Sequence, residues 1–137
     1  MHRRLRASAR LRPALLAALF GGLFIIAPAL AGTTDVNDFN LTEATSRYGG
    51  TPGTQYHVST GGADVLYRWL DSPIKSTVIS ANNCGDYAMF GQASYGVSDT
   101  AYRTIWANGI SGWCFVLQGR TQAGQGSMSL YDGRVSR

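Results

Sequence analysis

Residues that carry chemistry are scarce in this chain. Its 137 residues include two cysteines and two histidines, and 15% of them are charged. His2 lies at the very start, which leaves His57 as the one histidine of the remainder. A zinc site needs three or four nitrogen, sulfur or carboxylate ligands, and one histidine with two mutually paired cysteines makes none of the usual sets. No metal and no cofactor are expected. No 10–15-residue helical pattern separates the strand-like stretches, which argues against a parallel α/β sheet. The nucleophile pattern G-x-S-x-G is missing too: in Gly109-Ile110-Ser111-Gly112 the second glycine directly follows the serine. Asp35-Val36-Asn37-Asp38 opens like a calcium loop but has neither the glycine at its sixth position nor the glutamate at its twelfth. Internal repeats and low-complexity segments are absent as well.

Net positive charge is confined to the start. Arg3, Arg4, Arg6, Arg10 and Arg12 precede an apolar run from Pro13 to Ile26, and Pro28-Ala29-Leu30-Ala31 follows. Basic, apolar, then small residues is the order of a secretory signal, here with its cut between Ala31 and Gly32. The apolar run is shorter than the roughly 20 residues of a spanning helix. Arg3-Arg4 keeps the twin-arginine route as a minor alternative, and the Arg- and Ala-rich leader reads as bacterial. From Gly32 onward seven basic side chains stand against eight acidic ones, a net charge of −1. The chain's formal charge of +4 therefore belongs to the leader. No basic stripe remains to neutralise a phosphate backbone, so nucleic acid is not an expected partner. An extracellular protein or a carbohydrate is, and no membrane contact is expected once the leader is removed. The division that follows is a leader over 1–31, an N-terminal arm and loop over 32–55, and a β domain over 56–137.

Beyond the leader the chain holds fifteen glycines and thirteen aromatic residues, a composition of short strands and many turns. Alternation places strands at Tyr56–Ser59, Asp64–Leu70, Ile74–Ala81, Tyr87–Ser94, Ala101–Ala107, Trp113–Arg120 and Ser127–Tyr131. The expected fold is all-β: a small antiparallel sandwich or barrel of about seven strands. Asp71-Ser72-Pro73 and Asn108-Gly109 read as hairpin turns. Gly32 to Thr45 reads as a solvated arm, followed by a single helical turn near Leu41–Tyr48. Cys84 and Cys114 are expected to form one disulfide, as an even count in an oxidising compartment implies.

Candidate site residues are few. His57 as a general base needs a nucleophile and an orienting acid, and the sequence places neither. Asp64, Asp71, Asp86 and Asp99 include candidates for a glycosidase pair, yet all four sit at turns, where aspartate commonly accepts backbone hydrogen bonds. The aromatic residues carry more signal. Tyr67, Trp69, Tyr102, Trp106 and Trp113 form either a binding platform or the core. Arg68 and Arg103 mark solvated faces, which sends Tyr67, Trp69, Tyr102 and Trp106 inward. The long loops Tyr48–Thr54, Tyr95–Thr100 and Gln122–Gly126 are the expected contact surfaces. The general plan is similar to that of small secreted inhibitors, with no motif that carries a residue across. The expectation is an exported, non-enzymatic binding or inhibitor-like domain. A cell-envelope or spore-surface structural protein is one alternative, and a small hydrolase using His57 is another.

Overall fold

β-branched and aromatic residues alternate with polar ones through most of the chain, and the backbone follows them into strands. The computed structural model describes residues 32–50 and 52–137; the leader expected over 1–31 lies outside them. The described residues form nine strands: β1 (Thr33–Leu41), β2 (Ser46–Arg47), β3 (Gln55–His57), β4 (Val65–Trp69), β5 (Thr77–Asn83), β6 (Met89–Tyr95), β7 (Arg103–Trp106), β8 (Cys114–Thr121) and β9 (Met128–Ser136). They form two antiparallel sheets. Sheet A runs β1-β9-β4-β7. Sheet B runs β2-β8-β5-β6, with β3 also paired to β8. The expected all-β class and the Cys84–Cys114 disulfide are both present, the latter with a Cα–Cα distance of 5.6 Å.

The solvated arm was a misreading. Thr33–Leu41 is an edge strand of sheet A that buries Val36, Phe39 and Leu41 against the core. Its burial does not follow simple alternation, because register shifts on either side of Phe39 break the period of two. The same strand absorbs the calcium-like tetrapeptide: Asp35 pairs with Arg134. No helical turn forms near Leu41–Tyr48, where Ser46 and Arg47 pair with β8 instead.

The two hairpins were misreadings as well. β4 lies in sheet A and β5 in sheet B, so the 70–76 segment is a crossover between sheets. The Asn108-Gly109 turn likewise passes from β7 in sheet A to β8 in sheet B. Asn108 does adopt the left-handed conformation that the signal implies. Of the strands adjacent in sequence only β5 and β6 pair directly, through the turn that carries Cys84.

The inner faces of both sheets form the core. Val65, Tyr67 and Trp69 of β4 and Val135 of β9 meet Ile79 and Ala81 of β5 and Phe115 and Leu117 of β8. Among the described residues two buried polar bonds join the layers. Trp69 Nε1 donates to Thr77 Oγ1 at 3.0 Å, and the Tyr95 hydroxyl donates to the Tyr67 carbonyl at 2.7 Å. Burial raises the pKa of the Tyr56, Tyr67 and Tyr95 phenols well above the ordinary value, so all three are neutral at physiological pH. Tyr67 lies over Gly133, where a Cβ would collide with its hydroxyl. At the edge where the sheets converge, Gly91 of β6 lies so close to Ile105 of β7 that a Cβ would strike the Ile105 carbonyl.

Candidate functional site

Aromatic residues divide here between core and surface. Tyr67 and Trp69 are fully buried and fill the core, as the alternation with Arg68 implies. Trp106 is only 7% exposed. Tyr102 is the exception to the inward assignment. It precedes β7, is 41% exposed, and stacks beneath the Arg68 guanidinium at 5.2 Å. Ile105, which simple alternation places on the solvated face with Arg103, is buried. A bulge explains this: Val65 pairs with Trp106 but Leu66 with Thr104, so one extra residue on β7 turns both Ile105 and Trp106 inward. The five aromatic candidates therefore do not share one surface.

The structure gathers a different set. Trp106 stacks on Phe90 with ring centroids 4.1 Å apart and planes 13° from parallel. Trp113 lies against both, 5.9 Å from Phe90 and 6.5 Å from Trp106. Phe115 continues the cluster edge-on to Trp106 and stacks on Tyr56. The cluster plugs the end of the sandwich where β8 begins. Trp113, next to Cys114, is 47% exposed there. Ile110, whose carbonyl accepts the Trp113 backbone N–H, is 47% exposed; Met89, beside Phe90 in β6, is exposed on the outer face of sheet B, which it shares with Ser80, Asn82 and Gln118.

Local structure fixes this surface. The disulfide fastens the β5–β6 turn to the first residue of β8. Backbone bonds join the 58–63 and 109–113 segments: Val58 N–H to Trp113 O at 3.0 Å, Gly112 N–H to Val58 O at 2.9 Å, and Gly62 N–H to Gly109 O at 2.9 Å. Asp64 clamps the following turn, accepting from Asn108 N at 3.0 Å and Thr104 Oγ1 at 3.2 Å. Phe90 and Met89 were not among the sequence candidates. A bulge opposite Ala81 and Asn82 turns Phe90 toward Trp106, and bulges have no fixed sequence signature.

The titratable candidates are dispersed. His57 is exposed on β3 opposite Cys114 and forms no hydrogen bond to another side chain among the described residues. Each turn aspartate accepts a backbone N–H: Asp64 from Asn108, Asp71 from Asp132, Asp86 from Ala88, Asp99 from Ala101. Among the described residues no group of three or more His, Cys, Asp or Glu could hold a metal ion. No helix long and apolar enough to cross a membrane is present among the described residues. The loops expected as contact surfaces lie elsewhere, two of them at the opposite end. Comparison with protein-family models, curated proteins and solved structures finds no match for this chain.

Proposed function

We propose that the chain is an exported, disulfide-stabilised binding domain, inhibitor-like in design, that docks a protein partner through the Trp113 end. The exposure of Trp113 is the observation that carries this reading. A half-open tryptophan, backed by stacked rings and held by a disulfide at the next residue, is a preorganised anchor. Such an anchor loses little side-chain freedom on docking. Ile110, bonded through its carbonyl to Trp113, adds apolar rather than charged surface, which favours a protein partner over a sugar at this end. The leader-like 1–31 segment and the disulfide both suit a protein that works outside the cell.

Inhibition constants against a panel of secreted proteases and glycoside hydrolases test the proposal, with Trp113→Ala alongside. At least one enzyme is expected to be inhibited, and the substitution to weaken inhibition by about 30-fold, the scale of a hot-spot residue. A panel on which the parent protein inhibits nothing removes the inhibitor form of the reading. Intact-mass measurement of the exported protein, with Gly32 expected as its first residue, tests the leader.

A further inference from the structure

On one open side of the sandwich, edge strand β1 of sheet A faces the interrupted edge β2–β3 of sheet B. A cleft of about 390 Å³ lies between them, within the range of small-ligand sites. Two irregularities make it. Between β2 and β3 the chain leaves the sheet in a glycine-rich excursion that closes on itself, with Thr54 N–H donating to the Tyr48 carbonyl at 2.9 Å. Across from it, the bulge in β1 leaves Asn37 and Asp38 without register partners on β9, and both line the cleft. Asp38 is held in the left-handed conformation, φ 56°, which a non-glycine residue adopts at an energetic cost. Its N–H is fixed by Asp132 Oδ1 at 2.9 Å, while its carboxylate accepts no hydrogen bond among the described residues.

The chemistry of the walls is mixed and close to neutral. Asp38 contributes one negative charge and Arg47 one positive charge, the latter anchored by its guanidinium 3.7 Å from the centre of the Tyr87 ring. Asn37 and Thr54 add groups that donate and accept. Tyr48 brings ring carbon, set edge-on against Phe39 and bonded through its hydroxyl to the Asn37 N–H at 3.1 Å. An anion is drawn by Arg47 but repelled by Asp38, and a cation the reverse, so a ligand of one charge sign gains little net attraction from the pair. A neutral polyhydroxylated ring meets neither conflict, because each hydroxyl both donates and accepts. We propose that this cleft binds a neutral saccharide, with the Asp38 carboxylate accepting from two neighbouring hydroxyls. It binds without cleaving: glycoside hydrolysis uses two carboxyl groups, and Asp38 is the one carboxylate lining the cleft.

The test is an array of neutral and acidic oligosaccharides probed with the protein expressed from the full chain, then calorimetric titration with a captured glycan. Capture of neutral glycans is expected. Asp38→Asn should weaken the titrated affinity at least tenfold, because asparagine tolerates the left-handed backbone and removes only the charge. Asn37→Ala, at an exposed position, should weaken it too and supplies the answer if Asp38→Asn fails to fold. Trp113→Ala should leave it unchanged, which separates this cleft from the aromatic end. The proposal is overturned if nothing neutral is captured, if acidic glycans alone are captured, or if neither cleft substitution moves the affinity.

Discussion

Where β5 and β9 begin, four loops are tied to one another by polar groups. Gln125 Oε1 accepts from Ser76 N at 2.7 Å, and Lys75 Nζ donates to the Gln125 carbonyl. Glu43 Oε1 accepts from Gly126 N at 2.7 Å, and Ser98 N–H donates to the Pro73 carbonyl at 2.7 Å. At the opposite end, loops are joined by backbone bonds, one disulfide and a stack of rings. The first end exposes Ile74, Val97 and the Tyr102 ring, which lies beneath the Arg68 guanidinium, while the second exposes Trp113. Each polar bond is directional and holds only the two groups that make it. A covalent bridge holds the backbone whether or not the adjacent ring is covered. The disulfide end therefore keeps its backbone fixed around a half-open tryptophan ring, as a docking surface requires.

The largest expected effect lies on the polar-bonded side. Trp69→Ala removes a fully buried ring together with its bond to Thr77, and should cost roughly 3–5 kcal/mol in urea unfolding. Next comes the paired change Cys84→Ser with Cys114→Ser. Releasing a bridge that spans 30 residues should cost about 3–4 kcal/mol on the chain-entropy account. The two changes separate the ends by hydrogen exchange. Loss of the disulfide should speed exchange in the 84–88 and 109–114 segments while 122–126 stays protected. If both segments loosened equally, the ends would not be independent and the contrast drawn above would fail.

Much of the fold was legible because period-two alternation survives wherever a strand has one buried face. Val65, Tyr67 and Trp69 against Leu66 and Arg68 is the clearest case, and the core of β4 follows it. What was hidden is the pairing. A turn signal such as Asn108-Gly109 fixes a local reversal, but nothing in it says whether the next strand joins the same sheet or the facing one. Bulges hid the rest. Extra residues at Phe90 and Ile105 break the period locally, and those breaks produce the aromatic end. In β1 the bulge at Asp38 made a buried strand look like a polar arm and set a carboxylate at the rim of a cleft. In each case the residues that sequence reasoning missed sit where alternation fails, because alternation was the signal being read.

The smallest expected effect concerns the loop before β7, at the polar-bonded end. Asp99 Oδ2 accepts from Arg103 Nη2 at 2.6 Å and Nε at 2.9 Å, and its Oδ1 accepts from Ala101 N at 3.1 Å. The Arg103 guanidinium, and after it the Ala101 N–H, hold the Asp99 carboxyl below the ordinary carboxylate range. A carboxyl with a lowered folded pKa contributes stability above its unfolded value of about 4, and that contribution is lost as pH falls through the folded value. Solvent screens the pair, so the contribution should stay under about 1 kcal/mol. Asp99→Asn can keep the Ala101 bond through its amide oxygen and loses only the charge. Between pH 5 and 2 the melting temperature of the parent protein should therefore fall slightly more than that of the variant, with the gap closing at the acid limit. Parallel melting curves over that range would show that the loop is held by its backbone bonds alone, which would place the polar-bonded end closer in kind to the disulfide end than its side chains imply.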